Sequence, residues 1–74
     1  MTTLPPYHNM TPIQRATMVF IVEHIKAMGQ SPTLEEIAAI QGREVPNVHK
    51  TVKRLIELGY LKKEPNVHRG VTPA

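Results

Sequence analysis

The stretch from Thr33 to Pro46 constrains the fold more than any other part of this chain. Thr33 and Glu36 stand three apart just before Ile37, Ala38 and Ile40. At that spacing a hydroxyl and a carboxylate each accept from the other residue's backbone N–H and so start a helix. Gly42 is placed to end that helix near Gln41, because glycine takes the left-handed conformation without steric cost. Arg43 to Val45 then form a turn, and Pro46 opens the next helix, where a missing N–H costs nothing. Gly59 closes it, so a helix spanning about 46–58 follows the short one across a tight turn. Two helices joined in this way form a helix-turn-helix unit.

A longer helix precedes them. Thr11 followed by Pro12 is a helix start, Gly29 is its stop, and the Gln30-Ser31-Pro32 segment links it to the next. Ile13, Ala16, Thr17, Phe20, Ile21, His24, Ile25 and Met28 recur at helical spacing and read as its buried stripe. Val19 and Val22 lie off that stripe and are left to cover an N-terminal arm or a partner subunit. Residues 1–10, with Pro5 and Pro6 and no sustained period, read as a flexible arm, and residues 11–74 as one domain.

Beyond Gly59 the pattern changes to that of a β-hairpin. Tyr60 to Lys63 is one strand, Pro65-Asn66 marks a turn, and Arg69 to Thr72 is the returning strand, giving a wing over about 60–72. The expected fold is therefore mainly α, a three-helix winged helix-turn-helix with a C-terminal two-stranded β-hairpin wing.

Charge is distributed unevenly along this order of elements. Residues 1–42 carry two Lys or Arg against three Glu, whereas residues 43–74 carry seven against three. A basic C-terminal half suggests a polyanion as partner, and double-stranded DNA is the polyanion that suits a helix-turn-helix. On the third helix Val48, Val52, Leu55 and Ile56 share one face, and Asn47, Lys50, Thr51 and Arg54 share another. The first face packs, and the second reaches bases and phosphates from the major groove. His49 and Lys53 flank that side, while Lys62 and Arg69 lie where a wing meets the backbone or minor groove. The candidate DNA-binding residues are thus Asn47, His49, Lys50, Thr51, Lys53, Arg54, Lys62 and Arg69. An ordinary solvated helix face competes with this reading. For Lys62 and Lys63, protection of a strand edge against aggregation competes as well.

Other chemistry finds little support. The chain has no cysteine and no aspartate, and Ser31 is its only serine. Neither an activated nucleophile nor a glycine-rich phosphate loop can be assembled from it, so no enzyme is expected. Glu35 and Glu36 point about 100° apart on a helix and suit its positive end rather than a catalytic pair. His8, His24, His49 and His68 lack the spacing of metal ligands, and His24 reads as a core-edge histidine with a hydrogen-bond partner. No cofactor, metal, small-molecule substrate or membrane span is expected, and the expected location is the cytoplasm.

Thr11, Gln14, His24-Ile25, Gly29, Pro32-Thr33, Glu36-Ile37-Ala38, Gly42 and Pro46-Asn47 stand in an ungapped series that resembles the N-terminal DNA-binding domain of the LexA repressor family. Arg69-Gly70-Val71 is similar to the end of that family's wing, and the resemblance covers about four-fifths of the chain. It implies a winged domain that binds operator DNA, as a homodimer, to repress transcription. Two departures qualify the transfer. The segment from Asn47 to Gly59 is one residue shorter than in the family, and Lys50 and Thr51 stand where the family has acidic residues. The groove-facing set is then either Asn47, Lys50 and Thr51 or one shifted toward His49 and Lys50. The family's self-cleaving protease domain has no counterpart in these 74 residues. The expectation is a regulator without autoproteolysis, either a stand-alone protein of phage or mobile-element type or a truncated one. A winged-helix module that contacts only proteins, such as an anti-repressor or assembly factor, is the alternative.

Overall fold

The boundaries of the helices follow from the caps available to them. In the computed structural model, which describes residues 10–63 and 71–74, helix α1 runs Pro12–Met28, α2 Leu34–Gln41 and α3 Val45–Glu57. The Thr11 hydroxyl accepts from the Gln14 N–H at 3.2 Å, and the Gln14 side chain accepts from the Thr11 N–H at 3.1 Å. Thr33 and Glu36 repeat the arrangement at the start of α2, at 3.1 and 2.8 Å. Caps of this kind are worth about 1 kcal/mol each, enough to fix where a short helix begins.

Helix α3 starts differently. It begins at Val45, one residue before the expected Pro46, and its N-cap Glu44 makes no side-chain cap hydrogen bond. Pro46 is tolerated one position further in because first-turn N–H groups have no partner within the helix. At the other end, the Gly59 N–H reaches Ile56 O and the Tyr60 N–H reaches Leu55 O, both at 3.0 Å. Gly59 sits at φ 88, so this is the paired closure in which a left-handed glycine turns the chain back over the last helical carbonyls.

Tyr60 is consequently drawn into the helix stop, and the first strand β1 spans only Leu61–Lys63. Strand β2, Val71–Pro73, pairs with it antiparallel, with Lys62 opposite Thr72. Among the described residues the returning strand reaches Pro73, one residue beyond the expected Thr72. Arg69 and the expected wing turn at Pro65-Asn66 lie outside the described residues, as does the expected N-terminal arm up to residue 9.

Helix α3 is central to the fold, since α1, α2 and β1 all pack against it. Val48, Val52 and Leu55 on its inner face join Met18 and Ile21 of α1, Ile37 and Ala38 of α2, and Leu61 of β1 in one core. The stripe of α1 is rotated from the expected one. Met18, absent from the expectation, is buried, whereas Ala16 is exposed and Ile13 and Met28 are 38% and 64% exposed. Met10, expected in the arm, also belongs to the core. The cause is that α1 meets its neighbours on the line through Thr17, Met18 and Ile21, leaving the Ala16 and Val19 side uncovered by the described residues.

The turn between α2 and α3 depends on Gly42, at φ 64, with nothing within 4 Å of the position a Cβ would occupy. Gly42→Ala therefore introduces left-handed strain without a clash. It should cost about 1 kcal/mol in chemical denaturation. A loss above roughly 3 kcal/mol would mean that the turn depends on more than backbone conformation.

Candidate nucleic-acid interface

Burial of Val48, Val52 and Leu55 fixes the rotation of α3 about its axis, and this determines what the helix presents outward. Asn47, Lys50 and Arg54 are exposed and fall within about 60° of arc at 100° per residue. His49 and Lys53, also exposed, continue the same surface on the flank away from Asn47. The structure therefore brings five of the sequence-derived residues together on one face of a helix whose opposite face is anchored in the core. Arg54 is partly engaged, its guanidinium 3.5 Å from the Glu57 carboxylate with both side chains more than half exposed. Exposed pairs of this kind contribute between zero and about 1 kcal/mol, so the arginine is readily released to a stronger anion.

Thr51 differs from these five. It is half-buried, and its hydroxyl accepts from the Arg43 guanidinium at 2.8 Å and donates to Asn47 O at 3.2 Å. The same Arg43 nitrogen donates to Asn47 O at 3.1 Å, and the other terminal nitrogen donates to Gln41 Oε1 at 3.0 Å. Gln41 Nε2 in turn donates to Thr17 Oγ1 at 3.0 Å, and the fully buried Thr17 donates to Ile13 O at 2.8 Å. Every donor in this series meets an acceptor, which fixes the orientation of the Gln41 amide, since a flipped amide would set donor against donor. A polar path thus runs from α1 through the end of α2 to the first turns of α3.

Lys62 and Lys63 are exposed on β1, beside α3 in the sequence order of the wing. His24 is the core-edge histidine expected, with Nδ1 2.7 Å from Gln30 O, Nε2 3.8 Å from Glu36 Oε1, and its ring against Phe20. Among the described residues no three histidine or carboxylate side chains converge as a metal site, and no helix is long and apolar enough to cross a membrane.

Comparison with known proteins adds the family. The family model described as the LexA DNA binding domain matches residues 7–70. The chain belongs to the LexA DNA-binding domain family. A LexA repressor of Limosilactobacillus fermentum is 41% identical over 69 residues, covering 89% of this chain and 33% of that protein. A LexA repressor of Oleidesulfovibrio alaskensis is 34% identical over 64 residues, 86% of this chain and 31% of its own length. One from Magnetococcus marinus is 33% identical over 66 residues, 89% and 29% respectively. The chain spans about a third of the length of these curated relatives.

Within this LexA-type domain, the hydrogen-bonded path that ties the start of α3 to α1 and α2 through Thr17, Gln41 and Arg43 was missed by sequence reasoning. One signal was present. Thr17 interrupts the apolar stripe of α1, and Gln41 follows Ile37 and Ala38 on the packed side of α2. Two polar residues on two facing apolar stripes are best satisfied by each other. Arg43 carried no such signal, because a cation at a turn is usually solvated.

Proposed function

We propose that this domain binds double-stranded DNA sequence-specifically, with α3 in the major groove and the wing at the backbone, and acts in the cytoplasm as a repressor-type transcriptional regulator, not an enzyme. One observation carries the reading. Asn47, Lys50 and Arg54 share an exposed arc of a helix whose other face is buried at Val48, Val52 and Leu55, in a chain of the LexA DNA-binding domain family. An asparagine can pair bidentately with adenine, and lysine or arginine with guanine or phosphate. His49 and Lys53 reach phosphates on the flank, and Lys62 does so from the wing, with Arg69 assigned to the wing on sequence alone. A salt titration of binding to duplex DNA tests the electrostatic part. With about five phosphates neutralised, affinity should fall more than a hundredfold between about 50 and 200 mM salt. An affinity indifferent to salt would refute phosphate contacts.

Two copies acting together complete the proposal. Met10, Ala16, Val19 and Phe20 line a shallow apolar groove along α1, bracketed by Arg15 and Glu23. Val19, 46% exposed, lies midway between those two charges in sequence. Two α1 helices packed antiparallel about Val19 would set the arginine of each copy against the glutamate of the other, a self-complementary two-fold contact. Val19→Glu should convert a dimer in sedimentation to a monomer with little change in melting temperature. A wild-type protein that sediments as a monomer at high concentration without DNA would contradict this contact. The same groove is what favours the second reading, a module that contacts only proteins. That reading predicts no shift of duplex DNA in a gel at physiological salt.

A further inference from the structure

We infer that Arg43 is a positioning residue for the specificity of the reading helix, and that Thr51 serves as its anchor point and not as a base or phosphate contact. The inference rests on the DNA-binding reading above and extends it to a residue outside the exposed face of α3. Helices α1 and α2 each carry a complete reciprocal cap, but α3 has no side-chain cap at Glu44. In addition to the buried Val48, the Arg43 guanidinium ties down the first two turns of α3, bridging Asn47 O and Thr51 Oγ1 on α3 to Gln41 Oε1 on α2. Gln41 is itself tied to Thr17, a residue with no exposure in the second turn of α1. The reading helix is therefore pinned at Asn47, the residue whose own side chain faces outward, by a path that ends in the core. Base recognition depends on placing bidentate groups within a few tenths of an ångström, whereas phosphate attraction tolerates looser placement. Loosening this clip should cost discrimination between sequences far more than it costs general affinity for DNA.

Thr51 fits an anchor better than a reader. Its single hydroxyl proton is donated to Asn47 O while the oxygen accepts from Arg43, so donating to a phosphate or a base acceptor would break a hydrogen bond already made within the protein. The two candidate groove-facing sets left open by the sequence thereby narrow to Asn47 and Lys50, with His49 at the edge.

The test measures binding of the wild type, Arg43→Lys, Thr51→Val and the double variant to two probes. These are the duplex that the wild type itself enriches from a random pool and an unselected duplex of the same length. Arg43→Lys keeps the charge but replaces a planar fork that serves three acceptors by a single point charge. It should reduce the preference for the selected duplex about tenfold, the factor expected for loss of one charge-assisted hydrogen bond, and leave binding to the unselected duplex within about twofold. Thr51→Val, close in shape, should cause a similar loss alone and almost none in the Arg43→Lys background, because both changes break one clip. A preference unchanged by Arg43→Lys overturns the inference. So does a Thr51→Val loss equal in both backgrounds, which would make Thr51 a direct contact. A wild type that enriches no sequence at all overturns the DNA-binding reading itself, and is distinguishable from both.

Discussion

Replacing Leu55 by alanine should lower the stability of the domain by about 2 to 5 kcal/mol. Leu55 has no exposed surface and lies in the core with Met18, Ile21, Ile37 and Leu61, drawn from α1, α2 and β1. Its removal leaves a cavity where three elements meet the one helix they share, so no single element can shift to fill it without leaving another. A domain of this size has a net stability near the low end of about 5 to 15 kcal/mol, so the loss takes a large part of it. Thermal denaturation followed by circular dichroism should show a melting temperature lower by about 8 °C or more, at about 4 to 8 °C per kcal/mol. A loss below about 1 kcal/mol would mean that the inner face of α3 is not the core, and the orientation of its outer face would fall with it.

Charge reversal at Lys50 should have the corresponding effect on binding. Lys50 is exposed and points away from the packed face. Lys50→Glu should therefore leave the melting temperature nearly unchanged, since surface changes usually alter stability by less than about 0.5 kcal/mol. Toward DNA, loss of a good base or phosphate contact costs about 1 to 3 kcal/mol, and an added carboxylate facing phosphates adds repulsion. Affinity for the enriched duplex should fall about a hundredfold or more in an anisotropy titration at fixed salt. A change of less than threefold would move the interface off this face.

The features legible in the sequence were the local ones. The caps at Thr11 and Thr33 and the stops at Gly29, Gly42 and Gly59 each operate over three to five residues, and all occur where expected. The partition of α3 into a packed and a polar face was also legible, because helical periodicity alone separates Val48, Val52 and Leu55 from Asn47, Lys50 and Arg54. The centre of the α1 stripe was not. Ile21, Phe20 and Ile25 do face the core, but at helical spacing Ile13 and Met28 fit that stripe as well as Met18 does. Only the direction from which α3 approaches decides between them. The start of the first strand moved from Tyr60 to Leu61 because the Tyr60 N–H is taken by the closure of α3, while its carbonyl still accepts from the Ala74 N–H of the returning chain. The clip at Arg43 was beyond periodic reading altogether. It joins residues from three helices, and the arginine that completes it sits in a turn, where sequence pattern carries least information.

The central claim, that the face of Asn47, Lys50 and Arg54 reads DNA sequence, is tested most directly by selection of bound duplexes from a random pool, run in parallel with the wild type and Lys50→Glu. The wild type should enrich one short motif, repeated as inverted half-sites at a fixed spacing if two copies bind together, and Lys50→Glu should fail to enrich it. Enrichment of no motif by the wild type, or of the same motif to the same degree by both proteins, would contradict the account.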